Sequence, residues 1–244
     1  MPAPYLCENF IVEAYFDNPF AEGQVLLIDK PIDWTSFDAV RKIRNLARTK
    51  KVGHAGTLDP LATGLLIVCT GKFTKKINEY MAREKEYTGT IVLGSSTPTF
   101  DLESEPIPIA DPAALSADMI LSATEQFTGN ILQVPPIHSA IKIKGKRVYE
   151  LARKGLDVKL EPRPVNISVF EINAINLPEV SFRVVCSTGT YIRSLANDFG
   201  AALGCGGYLS GLRRTRIGEF SVNDAIGMEH AETYISAMLL RQNG

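Results

Sequence analysis

Three features of this chain predict an α+β fold. Its strand-like segments follow one another in sequence, the turns between them are short, and helical patterns do not intervene at every step. Short turns favour antiparallel pairing, whereas a doubly wound parallel sheet needs a crossover helix after each strand. In order, "QVLLIDKP" reads as a strand. Thr35 or Ser36 caps the helix that follows, with Val40, Ile43 and Ala47 on one face. Residues 50 to 60 read as loop, "KFTKKINEYMA" as a short helix and "EYTGTIVLG" as a strand. A long polar connection then runs to a helix start at Asp111-Pro112, and Gly129 stops that helical run. Residues 134 to 155 combine a proline break, a strand, a Lys-Gly-Lys turn and a helix ending at Gly155, like an excursion from the main body. "NISVFEINAI" and "VSFRVVCS" are alternating strands, the second with Val180, Phe182, Val184 and Cys186 on one side. A helix near 190 to 203, a glycine-rich strand and a terminal helix complete the pattern.

At 244 residues and 45% apolar composition, the chain is long enough for one large domain or two small ones. It has no run of eighteen apolar residues, and "MPAPYLCENF" lacks the basic-then-apolar order of an export signal, so the cytoplasm is the expected compartment. Four cysteines and three histidines are scattered without C-x-x-C spacing, which argues against a zinc site or a disulfide framework. The formal net charge of −1 hides a segregation. Between Tyr87 and Ile141 there are six acids and no Lys or Arg, while residues 41 to 51 carry six basic residues and no acid, and residues 142 to 154 six against one Glu. Each basic run reads equally as a solvated helix face or as a surface for a polyanion.

The stretch "GHAGTLDPLATGLL", residues 53 to 66, places one carboxylate, Asp59, in a turn otherwise free of charge. It is not a phosphate loop: a Walker pattern around Gly71-Lys72 would need glycine at Leu66 and a hydroxyl at Phe73. "GCGGYL" lacks the third glycine of a dinucleotide fingerprint, and no second acid in the local sequence makes a glycosidase-like pair. Pro60 stiffens the backbone after Asp59. From the residues alone two readings stay open, an Asx-turn in which Asp59 caps its own backbone and a presented catalytic side chain.

That stretch resembles the signature of the TruB family of pseudouridine synthases, whose Asp is catalytic. The likeness continues in "LLIDKPIDWTS", "KEYTGTIVLG", "PPIHSAIKIKGKRVYELARKG" and "CSTGTYIRSLANDFGAALGCGGYLSGLRRTRIG", in the family's order. The resemblance implies the pseudouridine synthase fold, with a mixed, mainly antiparallel central sheet flanked by helices and loops. It implies isomerisation of a T-loop uridine of tRNA, position 55, on a flipped-out nucleotide, with no cofactor. Asp59 is then the nucleophile or base, Arg193 its partner cation and Tyr87 the aromatic that meets the target base. His54 helps hold the place of the flipped nucleotide, and Tyr191 and Leu212 line the base pocket. An RNA-binding insertion over about 134 to 160 brings Lys142, Lys144, Lys146 and Arg147, while Lys75, Arg213 and Arg214 meet phosphates.

Only about two dozen residues follow Phe220, leaving no room for the added RNA-binding domain of longer relatives. The expectation is one catalytic domain over 1–244 with an N-terminal arm over about 1–22, acting on the T arm as a monomer without an obligatory protein partner. A non-catalytic RNA-binding or tRNA-chaperone module on the same fold is the alternative, and an unrelated aspartate-dependent hydrolase would require a metal-binding acid cluster.

Overall fold

The computed structural model describes residues 18–137, 142–143, 146–147 and 160–240, the two short pieces by their backbone alone. In chain order the elements begin with α1 (Pro19–Glu22), β1 (Val25–Lys30), α2 (Ser36–Leu46), β2 (Val52–His54) and β3 (Ala62–Thr70). A 3-10 turn over Gly71–Lys76 leads into α3 (Ile77–Met81), followed by β4 (Lys85–Leu93), β5 (Ser95–Ser96), β6 (Ile107–Pro108), α4 (Ala117–Ala123) and β7 (Gly129–Gln133). Then come β8 (Lys142–Ile143), β9 (Lys146–Arg147), β10 (Arg163–Asn176), β11 (Glu179–Cys186) and α5 (Ile192–Ala202). The last elements are β12 (Gly207–Ile217), β13 (Phe220–Ser221), β14 (Ile226–Gly227) and α6 (Ala231–Leu240).

Among the described residues ten strands make one sheet, in the order β14-β1-β3-β12-β4-β11-β10-β7, with β2 on β3 and β13 on β12. Only β1 with β14 and β3 with β12 run parallel, so the sheet is mixed and mainly antiparallel. The alternation read in β11 holds: Val180, Phe182, Val184 and Cys186 are all buried. They join Phe170 and Phe199, whose rings meet edge to face at 5.3 Å, in the largest core cluster.

Several elements differ from the sequence reading. "ATGLLIVCT" is β3, and it does not alternate because both of its faces are covered. Leu66 and Val68 pack toward α2 and α6, while Leu65, Ile67 and Cys69 pack toward the Phe73, Ile77 and Tyr80 side. The expected loop at 50 to 60 contains β2, and the expected helix over 72 to 82 is a 3-10 turn followed by five α residues. The polar connection after β4 holds the small β5-β6 pair. Asp111 does cap a turn at Pro112, but the helix proper starts after Ser116. In the insertion, β8 and β9 pair antiparallel with Lys142 opposite Arg147. The insertion's helix and residues 1–17 of the N-terminal arm lie outside the described residues.

β3 and β12 approach closely enough to exclude any side chain at Gly64. Its φ is +100°, and a Cβ there would stand 2.3 Å from the Arg214 carbonyl oxygen. Gly64→Ala should therefore cost at least about 2 kcal/mol in a denaturant titration, from backbone strain plus forced separation of the strands.

Candidate active site

The turn that carries Asp59 is held by side chains from four directions. Thr35, not Ser36, caps α2, in a capping box with Asp38. That frees Ser36, 3% exposed, to grip Leu58 twice: its Oγ accepts from the Leu58 amide at 2.8 Å and donates to the Leu58 carbonyl at 3.1 Å. The Pro60 carbonyl accepts from the Asp33 amide at 3.0 Å and from Lys30 Nζ at 3.2 Å. Lys30 is fully buried, and its ammonium also donates to the Trp34 carbonyl at 2.5 Å and the Pro31 carbonyl at 2.9 Å. Burial lowers its pKa to about 8, against the pull of the Asp59 charge. On the upstream side, Arg214 Nη2 donates to the Gly56 carbonyl at 3.1 Å and Nη1 to the Thr57 carbonyl at 3.4 Å, while Nε reaches the Leu65 carbonyl at 2.7 Å.

The fourth support is Arg193, the second residue of α5, itself 5% exposed. Its Nε lies 2.9 Å from Asp59 Oδ2, as the resemblance implies. The same nitrogen lies 3.5 Å from Asp101 Oδ2, and Nη1 donates to the Thr99 carbonyl at 3.2 Å. Asp101 corrects the expectation of a carboxylate without an acidic neighbour. It comes from the loop after β5, is 4% exposed, and is fixed by the hydroxyls of Thr97 and Thr99 on its carbonyl and the Glu103 amide on Oδ1. Nothing in "TFDLESEP" distinguishes it from the other acids of that segment. Asp59, Asp101 and Arg193 line one pocket together with Leu61, Ala62, Leu209, Ser210, Gly211 and Leu212. Burial pushes the Asp59 pKa up; Arg193 opposes this and the Asp101 charge adds to it.

The other expected residues divide. Leu212 is in the pocket wall. Tyr87 is 8% exposed, hydrogen-bonds Arg214 and lies within range of the Asp59 charge; its burial raises the phenol pKa and keeps the proton on. His54 ends β2, with a buried Nδ1 that has no hydrogen-bond partner among the described residues; burial lowers its pKa. Tyr191 caps α5, and both of its backbone groups are held by the Gln133 amide at 2.8 and 3.1 Å. With Ser194 Oγ on the Val134 carbonyl at 2.8 Å, this ties the chain entering the insertion to the helix that carries Arg193. Lys75 is exposed on the 3-10 turn. Arg213 is engaged in a two-pronged pair with Asp29 at 3.0 and 2.6 Å. Arg214 is a correction: at 1% exposure it has no access to a phosphate, because it is spent on the carbonyls of the Asp59 turn. Lys144 and the side chains of Lys142, Lys146 and Arg147 lie outside the described residues. Among the described residues no cluster of acids, histidines and cysteines suits a metal ion, and no helix is long and apolar enough to cross a membrane.

Comparison with known proteins places this arrangement in a class. A chain of a solved Cbf5-Nop10-Gar1 complex superposes with a TM-score of 0.69 at 30% identity, over 92% of this chain and 57% of that one. An H/ACA RNP bound to a substrate RNA containing 2'-deoxyuridine gives 0.67 at 28% identity over 92% and 56%. The fold is that of the pseudouridine synthases. Residues 44–192 match the model of the TruB family pseudouridylate synthase N-terminal domain, and residues 193–241 that of the tRNA pseudouridylate synthase B C-terminal domain. Curated tRNA pseudouridine synthase B of Flavobacterium johnsoniae is 54% identical over 85% of this chain and 93% of its own, and that of Phocaeicola vulgatus 50% over 86% and 92%. This chain belongs to the TruB family and is an isomerase that acts on tRNA. The segment matched by the C-terminal model supplies β12, in the middle of the sheet.

Lys30 was not singled out from sequence, although a lysine closing an apolar strand was a signal. Lys30→Met removes three hydrogen bonds, to the carbonyls of Pro31, Trp34 and Pro60, and leaves Pro60 only its bond from the Asp33 amide. It should lower stability by about 2–4 kcal/mol by thermal or chemical denaturation, and reduce kcat far more than it raises KM.

Proposed function

We propose that the chain converts the T-loop uridine at position 55 of tRNA to pseudouridine, with Asp59 as the nucleophile or base on a nucleotide flipped out of its stack. The observation that carries this reading is the Asp59–Arg193 pair at 2.9 Å in the wall of an open pocket. The reaction breaks the N1–C1′ bond, turns the base and joins C5 to C1′. The proton on C5 is lost and N1 gains one, so no redox cofactor, metal or nucleotide enters the balance. Arg193 keeps the Asp59 carboxylate ionised and aimed at the sugar or base, whether it adds covalently or removes the C2′ proton to form a glycal. In this reading Tyr87, neutral and held by Arg214, stacks on the base and relays a proton, and Leu212, Tyr191 and His54 shape the space around it. Flipping costs a few kcal/mol, offset by stacking and phosphate contacts. Those contacts come from Lys75 and from Lys142, Lys144, Lys146 and Arg147 of the insertion, with Arg213 available once Asp29 releases it. The tie of Gln133 and Val134 to the start of α5 supports placing the insertion beside the pocket. The reading also takes residues 1–244 as one catalytic domain acting in the cytoplasm as a monomer, without guide RNA or protein partner.

Asp59→Asn should bind tRNA with unchanged affinity and form no pseudouridine; activity within tenfold of the unmodified enzyme overturns the role. Because the Asp59 pKa is raised and the ionised form is required, kcat/KM should fall as pH drops through a midpoint above the ordinary carboxylate range of about 4. Changing Lys144, Lys146 and Arg147 together to Ala should flatten the salt dependence of tRNA binding by roughly 0.7–0.9 log-log units for each phosphate no longer neutralised, with less effect on the chemical step.

A further inference from the structure

The basic run of residues 41 to 51 takes no part in the site described above, yet it is not an ordinary solvated helix face. Such faces interleave charges of both signs, and from Ala39 to Leu58 there is no acid at all. Its first part lies on α2, whose Ala39, Val40, Ile43 and Ala47 side is buried; Arg41, Lys42, Arg44, Asn45 and Arg48 are exposed on the other. Two clefts meet there at Asn45. One is lined by Asp33, Trp34, Asp38, Arg41 and Lys42. The other is lined by Arg44, Arg48, Thr49 and Lys50. Sharing Asn45, they adjoin along the helix as one trough-like face, with five cations against two acids. Asp38 is already engaged by the Thr35 cap and by Arg41. Lys42, Arg44, Arg48 and Lys50 have no carboxylate partner among the described residues. Cations favour a helix C-terminus for local reasons, but that accounts for Arg44 alone in the last turn, not for Lys42 or Lys50.

The position of the trough matters as much as its charge. Its Asp33 end is the turn whose amide holds the Pro60 carbonyl, one residue beyond Asp59. At the other end, Lys50 leads into β2, and the Lys51 carbonyl accepts from the Gly71 amide at the start of the 3-10 turn that presents Lys75 and Lys76. The eleven residues of α2 span about 16 Å at about 1.5 Å per residue, enough for a few successive phosphates of one strand.

We propose that this trough is a second RNA-backbone track, which grips phosphates of the tRNA strand leading away from the flipped nucleotide, separate from the insertion. The proposal rests on the tRNA reading above. Lys42, Arg44 and Lys50 changed together to Ala should lower the log-log salt slope of tRNA binding by about two units, at about 0.7–0.9 per phosphate, and weaken Kd at least tenfold near 0.1 M salt. Conversion at saturating tRNA should be unchanged. As a control for net charge, Arg83, Arg183 and Arg216, each tied to glutamates, are changed to Ala; that variant should keep the slope. An unchanged slope in the first variant, or an equal fall in both, overturns the track, with thermal melts confirming that each variant is folded. Binding is read on tRNA whatever uridine is modified. A lowered slope with no pseudouridine at position 55 would therefore remove the position assignment and leave the track standing.

Discussion

The structure depends on keeping a short, irregular turn in place with buried cations. Lys30, Arg193 and Arg214 are each 5% exposed or less, and their donors are directed at the carbonyls and the carboxylate of residues 56 to 60. Burying a cation is costly unless its hydrogen bonds are made, so each of these side chains is stable only while the turn keeps its shape. The dependence runs both ways. The turn has no regular secondary structure of its own, and its polar backbone groups at Gly56, Thr57 and Pro60 have those cations as partners.

Arg193 carries a further constraint, because it serves two acids. Asp59 and Asp101 converge on the same guanidinium nitrogen, and the second carboxylate raises the proton affinity of the first. The arginine is held also by Asp101 and the Thr99 carbonyl, while Asp59 lines the pocket with part of its surface open, its side chain 38% exposed. A carboxylate in that setting is shielded on the side of Arg193 and open on the side of the pocket. The same helix anchors the strand that enters the insertion, so Arg193 and the root of that excursion are tied to one element.

Much of the architecture was legible in local pattern. Strands with one covered face, such as β11, declared themselves by alternation, and α2 by its cap and apolar stripe. β3 was opaque because it is covered on both faces, and a continuous apolar run has no period to read. Where a motif carried the expectation, the structure brings Asp59, Arg193 and Leu212 together in one pocket wall. Arg214 was misread, since two adjacent arginines in "LRRT" look alike in sequence while alternation in β12 sends one to Asp29 and buries the other.

The sequence by itself determined the α+β class, the family likeness, the single acid in the Gly-Thr-Leu-Asp-Pro turn and the segregation of charge into acidic and basic stretches. All of these are properties of residues close together along the chain. Tertiary structure alone decided which charges meet. Asp101 is 42 residues from Asp59 and Arg193 is 134 residues away, and no local pattern encodes that the β5 loop and the start of α5 converge on one turn. The roles of Lys30 and Ser36 were settled in the same way, because a buried donor is defined by the carbonyl it finds, and that carbonyl is brought to it by the sheet.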